Sequence, residues 1–480
     1  MIEALYIDIP FCKSKCSYCN FESMSCSNEA VLDAYVLALN KQMRRASKAG
    51  LLANIKTIYI GGGTPTHLGL ARLNEIVSML NFCLHMGEVE EFSIECNPES
   101  LTFPMVRDLF SQGIMRFSVG AQSFDDEVLK GFNRAHNVSD IYPCVEHIRR
   151  RTDNFSLDLI CGAQGQTLRS WDTTLKAALK LQPAHISIYP LSIDDGCALS
   201  KQVERGEYMP ANQDLMATFM QHAQGLIHAA GLSRYEVASY AAKGRECKHN
   251  IAYWTGVHYL GLGAAASSML SAKDYKTCLE AGVFAENVFD DSVGCGVGCN
   301  ASVFSESTLD GSAGCGAGAC SEILPASTFR VRVSQAESAN AQYFIEHNGK
   351  QLVNAEFYDE REALLEDAML SFRTTRGLGQ SLYKNVRAVE PKIDDVLEKL
   401  QHQGLVTAKT PAGKAEVARK IEPADKEVAA GNASKTCEVG AVGNASKTEP
   451  TEKAGQKHYI TTERGWLLGN EVFGAICELI

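Results

Sequence analysis

No stretch of this chain is apolar for long enough to cross a membrane as a helix, which takes about 20 residues. The nearest candidate, residues 256–270, is rich in Gly, Ala and Ser and carries His258. The start, MIEALYIDIP, has neither the basic residues nor the apolar stretch of an export signal and runs directly into a strand-like segment, so a cytoplasmic location is expected. Positive charge is not in excess either. A formal net charge of -11 argues against a nucleic-acid partner, because phosphate binding needs a basic face. A disulfide framework is also missing: the 17 cysteines are spread along 480 residues with no export signal, and reduced thiols are the expectation. The chain is 45% hydrophobic and 21% charged, which suits a globular protein of more than one domain whose core needs no covalent staples.

Three of the cysteines form a pattern. Cys12, Cys16 and Cys19, in CKSKCSYC, have the spacing C-x3-C-x2-C. An electron-transfer cluster normally takes four cysteine ligands; three thiolates can hold a 4Fe-4S cluster and leave one iron open to a small molecule, as catalytic metal sites keep one position free. Two other readings stand beside this one. Cys16 and Cys19 could form a redox pair, which leaves Cys12 unused, and a zinc site would need a fourth ligand, for which Cys26 is the near candidate.

From Ala4 to about Leu270, β-like runs alternate with amphipathic helical stretches: ALYIDI, KTIYI, EFSIEC, MRFSVG, FSLDLI and HISIY read as strands. Residues 28–48 read as a helix capped by Ser27 or Asn28. Six such units predict an α/β fold, a partial (β/α)6 barrel over residues 1–272, with its site at the strands' C-terminal ends. Residues 273–326 contain SVGCGVGCNAS and SAGCGAGACSE, which place Cys295, Cys299, Cys315 and Cys320 among glycines. Ordering so many glycines costs conformational entropy, so a disordered insertion is expected there in preference to a second metal site. Residues 327–480 read as a smaller C-terminal α+β, winged-helix-like domain, interrupted over 408–457 by a low-complexity linker in which GNASKT occurs twice.

The second strand leads into Gly61-Gly62-Gly63-Thr64-Pro65, where glycines let the backbone approach a ligand and the amides and Thr64 hydroxyl can bind polar groups. Polar residues recur at or beyond later strand ends: Glu95, Gln122, Arg134 and Asp158. S-adenosylmethionine (SAM) presents an ammonium, a carboxylate, a sulfonium and ribose hydroxyls. Two acids, a cation and an amide answer that set.

The series YIDIPFCKSKCSYCNF, GGGTPT, IECNP, RFSVGAQSF, NRAH and DLICG resembles the radical SAM family that contains the oxygen-independent coproporphyrinogen III oxidases and the HemW-type heme chaperones. The resemblance is close over residues 4 to about 270 and looser beyond. It implies a 4Fe-4S cluster on Cys12, Cys16 and Cys19, with SAM contacted by Tyr6, Tyr18, Gly62, Gly63, Thr64, Glu95, Gln122, Arg134 and Asp158. Local features separate the two branches. The oxidases resemble C-x3-C-x2-C-x-C and carry a substantial segment before the motif, whereas here Asn20 and Phe21 follow Cys19 and the motif lies near the start. His249-Asn250-Ile251-Ala252-Tyr253-Trp254 resembles the HNxxYW motif of the chaperones, which implies heme contacts from His249, Tyr253 and Trp254, the imidazole as axial ligand and the aromatic rings as apolar faces. The chain departs from the chaperone pattern at Ser267, where a GAGAH-like segment would place histidine. The resulting expectation is a HemW-like heme chaperone that binds a 4Fe-4S cluster, SAM and heme and delivers heme to acceptor proteins, with peripheral association where those acceptors are membrane-bound. The rival is an oxygen-independent coproporphyrinogen III oxidase, or another radical SAM reaction on a tetrapyrrole. No oligomeric state follows from the residues.

Overall fold

In the computed structural model, β1 (Ala4–Ile9), β2 (Thr57–Gly62), β3 (Glu91–Cys96), β4 (Arg116–Gln122), β5 (Phe155–Cys161) and β6 (His185–Pro190) lie side by side in chain order, all parallel. This is the open α/β arrangement that the sequence predicts. The structure describes residues 1–285, 325, 327–336, 340–409, 458–467 and 469–479. Alternation within each strand sorts its side chains onto two faces. Leu5, Ile7 and Ile9 of β1, Phe92 and Ile94 of β3, and Leu157 and Leu159 of β5 are wholly buried in the main core. The intervening residues point the other way, and Tyr6, Asp8, Glu95 and Asp158 line the concave interior. Register ties these together: Asp8 pairs with Gly61, Glu95 with Ser118, and Asp158 with Ser187.

The first connecting helix, Glu29–Lys48, begins where the Asn28 side chain accepts the Ala30 N–H at 3.1 Å, and it buries Leu32, Tyr35, Val36, Leu39 and Met43. The cap sets where the helix starts, and the apolar stripe sets which face meets the sheet.

The sheet continues beyond the six strands. β7 (Ser239–Ala241) pairs antiparallel with β6, while β8 (Tyr259–Leu262) runs parallel to β1 on its other side. β9 (Ser268–Ser271), β10 (Arg330–Gln335) and β11 (Val353–Tyr358) then add antiparallel. The last two fall within the 327–480 range, yet Val331, Val333 and Val353 pack in the barrel core. The helix Ala272–Glu280, capped by Ser271, extends into the 273–326 range. Residues 286–324, with Cys295, Cys299, Cys315 and Cys320, and residues 410–457 lie outside the described residues.

A second core gathers Leu365, Phe372, Val386, Leu397, Leu400 and Ile476 from the helices Glu360–Ser371, Gln380–Val389, Ile393–His402 and Gly469–Cys477, beside the hairpin β12 (Val406–Lys409) and β13 (His458–Thr461). This is the smaller winged-helix-like α+β unit. Arg330 joins it to the sheet with paired bonds to Asp367 at 2.7 and 2.8 Å and a third to Glu366 at 3.2 Å. Such a fork is more directional than a single ion pair. Among the described residues no helix is long and apolar enough to cross a membrane.

Candidate functional site

Beyond β1 the chain enters a loop that carries Cys12, Cys16 and Cys19 as free, partly exposed thiols. Backbone bonds pin this loop to its neighbours: Ser17 N–H to Phe132 O at 3.0 Å, Gly63 N–H to Ile9 O at 2.8 Å and Thr64 N–H to Phe11 O at 2.8 Å. The close approach requires glycine, since a Cβ at Gly63 would lie 2.7 Å from Phe11 O and 3.0 Å from Cys12 Sγ. All three thiols line one cavity of about 540 Å³. Arg134 Nη1 lies 3.4 Å from Cys16 Sγ, and the Thr64 hydroxyl lies 3.6 Å from Cys12 Sγ. Burial pushes the Cys12 and Cys19 thiols up, so ligation must supply the driving force for their deprotonation. Cys26, the fourth ligand that a zinc site would need, does not line this cavity.

The same cavity is lined by Tyr18, Gly62, Gly63, Thr64, Glu95, Gln122, Arg134 and Asp158. Eight of the nine residues expected to contact SAM are therefore brought together from five strands' ends and the loops beyond them. The ninth, Tyr6, lines a neighbouring cavity instead. Burial, and then the nearby Asp158, raise Glu95 to about 8. Burial also raises Asp158, against hydrogen bonds from Ser118 at 2.8 Å and Ser156 at 3.2 Å. Two carboxyls held above their usual range form a pocket that a cationic ligand would stabilise. Arg134 Nη2 donates to Asn97 Oδ1 and Gly120 O, both at 2.7 Å, while its buried Nε has no partner and can meet an acceptor. Gln122 sits at φ +60°, a left-handed conformation uncommon outside glycine.

The neighbouring cavity, about 660 Å³, shares Asn20, Phe21 and Gly62 with the first. Its walls include Tyr6, Asp8, Tyr253, Trp254, Tyr259, Ser267, Met269 and Arg332. Tyr253 and Tyr259 meet edge to face at 4.5 Å between centroids, and Trp254 stacks under the Arg373 guanidinium at 5.3 Å. His249 is placed elsewhere. It lies on the helix Lys248–Trp254, 1% exposed, with Nδ1 2.9 Å from the Thr57 hydroxyl and Nε2 3.0 Å from the Tyr253 hydroxyl. Its ring stacks on Tyr59 at 5.2 Å, and burial lowers its pKa to about 3. In this arrangement both ring nitrogens are engaged within the fold, and the imidazole holds the Tyr253 hydroxyl.

Sequence reasoning passed over Asn97 and Asp8. Asn97 accepts from Arg134 and donates to Thr64 Oγ1 at 3.1 Å, which couples the cation to the glycine-rich loop. Its signal was its place two residues after Glu95, in the same post-strand turn. Asp8 is 3% exposed, accepts the Ala265 N–H at 3.0 Å, and is raised to about 7 by burial. A lone acid inside an apolar strand, YIDIP, was the available cue.

Comparison with known proteins agrees with this geometry. Residues 6–178 match the Radical SAM superfamily. The heme chaperone HemW of Bacillus subtilis (strain 168) is 33% identical over 267 residues, covering 55% of this chain and 70% of that protein. The heme chaperone HemW of Escherichia coli (strain K12) is 32% identical over 272 residues, covering 56% of this chain and 71% of that protein. The solved coproporphyrinogen III oxidase (HemN) from Escherichia coli has a TM-score of 0.65 over 99% of this chain and 90% of its own at 16% identity, a likeness of fold. With the cysteine loop, the glycine-rich turn and the polar strand ends in place, and about a third of residues shared across most of those chaperones' length, the chain belongs to the HemW heme chaperone family of the radical SAM superfamily.

Proposed function

We propose that this chain holds a 4Fe-4S cluster on Cys12, Cys16 and Cys19, binds SAM beside it, accepts heme in the neighbouring cavity and passes the heme to acceptor proteins. The observation that carries this reading is the pair of adjoining cavities: one lined by three thiols and the polar set, the other by Tyr253 and Trp254, with Asn20, Phe21 and Gly62 between them. When bound, the cluster supplies an open iron for a small-molecule ligand and an electron. The chain's own residues do the rest. Arg134 offers its unpaired Nε to a carboxylate, Glu95 and Asp158 take an ammonium or ribose hydroxyls, and the Thr64 and Gly62 turn presents polar groups to the same ligand. In the second cavity, aromatic walls can cover a tetrapyrrole face, beside the wall residue Arg332, which is itself ion-paired with Glu356 and Glu366.

Phe21 lines both cavities and is 70% exposed, occupying the position at which the resembling oxidases carry a further cysteine. It cannot ligate iron or donate a thiol hydrogen. This favours heme carriage over oxidative decarboxylation of coproporphyrinogen III. The test is anaerobic reconstitution followed by parallel heme titration and coproporphyrinogen turnover with SAM and a strong reductant. Stoichiometric heme binding, transferable to an apo-hemoprotein, without turnover is the expected result. Robust SAM-dependent turnover with no heme binding would overturn the reading.

A further inference from the structure

A heme carried in the second cavity needs an iron ligand, and the residue expected to provide it, His249, is committed to Thr57 and Tyr253. Several other donors line the cavity wall, among them Tyr6, whose phenol burial raises, and Glu22, an exposed carboxylate outside the cross-strand row. The Tyr253 hydroxyl is occupied by His249. Burial raises the Tyr253 and Tyr259 phenols, so ligation as phenolate would require an unfavourable deprotonation. Asp8 accepts the Ala265 amide, and its other oxygen lies so close to Gly62 that a Cβ there would sit 2.3 Å away. Glu366 is held by Arg330 and Arg332. Ser267 offers only a neutral hydroxyl.

The geometry points to the Met269 thioether as the axial ligand that this chain offers to heme iron, an inference that rests on the reading of this cavity as the heme site. Cross-strand register supports it. Met269 on β9 pairs with Tyr259 on β8 and with Arg332 on β10, and all three line the cavity. One wall therefore presents an aromatic ring, a thioether and a guanidinium in a single row across three strands. Paired residues share a sheet face, so the row addresses one ligand. A thioether ligates as a neutral group and releases no proton, which suits a donor that is only 6% exposed. It is also a soft ligand, which favours ferrous over ferric iron and raises the potential of the heme it binds.

The test uses the full-length, cluster-containing protein loaded with heme, examined by magnetic circular dichroism and by spectroelectrochemistry. The wild type should show a thioether-to-iron charge-transfer signature in the magnetic circular dichroism of the bound heme. Met269→Leu, which conserves volume, should abolish that signature, lower the potential of the bound heme and reduce its preference for ferrous over ferric iron. Met269→His should replace the thioether signature with that of imidazole-ligated heme. A Met269→Leu protein with the wild-type spectrum and potential overturns the assignment, and a spectrum altered instead by Tyr253→Phe moves the ligand to the phenol. Absence of stoichiometric heme binding by the wild type overturns the heme reading of the cavity itself.

Discussion

At the scale of single residues, partners decide roles that residue type leaves open. His249 and Arg134 both lie in motifs that suggest ligand contact, yet His249 has both nitrogens bonded inside the fold while Arg134 keeps a buried Nε unpaired. His249→Ala should therefore act on stability, leaving the Thr57 and Tyr253 hydroxyls without a partner at a cost of about 2–4 kcal/mol, read as a lower denaturant midpoint. The axial-ligand spectrum of bound heme should stay as in the wild type. Arg134→Ala should weaken SAM binding to cluster-loaded protein by roughly 1.5–3 kcal/mol, the range for a charged hydrogen-bond partner, in an equilibrium titration. Each single alanine at Cys12, Cys16 or Cys19 should lose the cluster, measured as iron and sulfide per chain after anaerobic reconstitution, because three ligands leave none to spare.

At the scale of elements, the strand ends and the turns after them carry the site. The glycine-rich turn after β2 packs on the cysteine loop through Gly63, where a methyl group would meet Phe11 O at 2.7 Å. Gly63→Ala should displace the loop and lower cluster content while the far-ultraviolet circular dichroism of the barrel is retained, since the clash is confined to two turns. Normal cluster content in that variant would mean that the loop can relax without moving its thiols. The helix Lys248–Trp254 works differently: His249 anchors its inner face to β2, and Tyr253 and Trp254 are thereby held at the second cavity.

For the whole molecule, buried carboxyls on the concave side of the sheet set a pH dependence. Asp8 is raised to about 7 and Glu95 to about 8, so the folded, ligand-free chain keeps protons that the unfolded chain has lost above the ordinary carboxylate range. The native state then binds more protons than the unfolded state, and stability falls as pH rises through that window. Urea midpoints should be lower at pH 8.5 than at pH 5.5, with a smaller drop in Glu95→Gln; a midpoint that rises over the same interval would contradict the placement of both acids. The ion-paired Arg330 couples this sheet to the second core, so the two units share one set of contacts although their apolar cores are distinct.

What was legible in the sequence followed from short-range physics. Alternation at period two located six strands to within two residues at each end, and Asn28 marked a helix start because its side chain caps a nearby amide. The cysteine spacing and the glycine run could be read because close backbone approach and convergent thiols need those residues at those intervals. The direction in which His249 faces could not be read from its own segment, because Thr57, its partner, lies 192 residues away in sequence. Nor could the row of Tyr259, Met269 and Arg332, since β10 reaches β9 only across residues 272–329. Local pattern determined the elements and the residues available to the first cavity; register between strands distant in sequence decided which side chains share the second, because cross-strand neighbours are set by pairing and not by position along the chain.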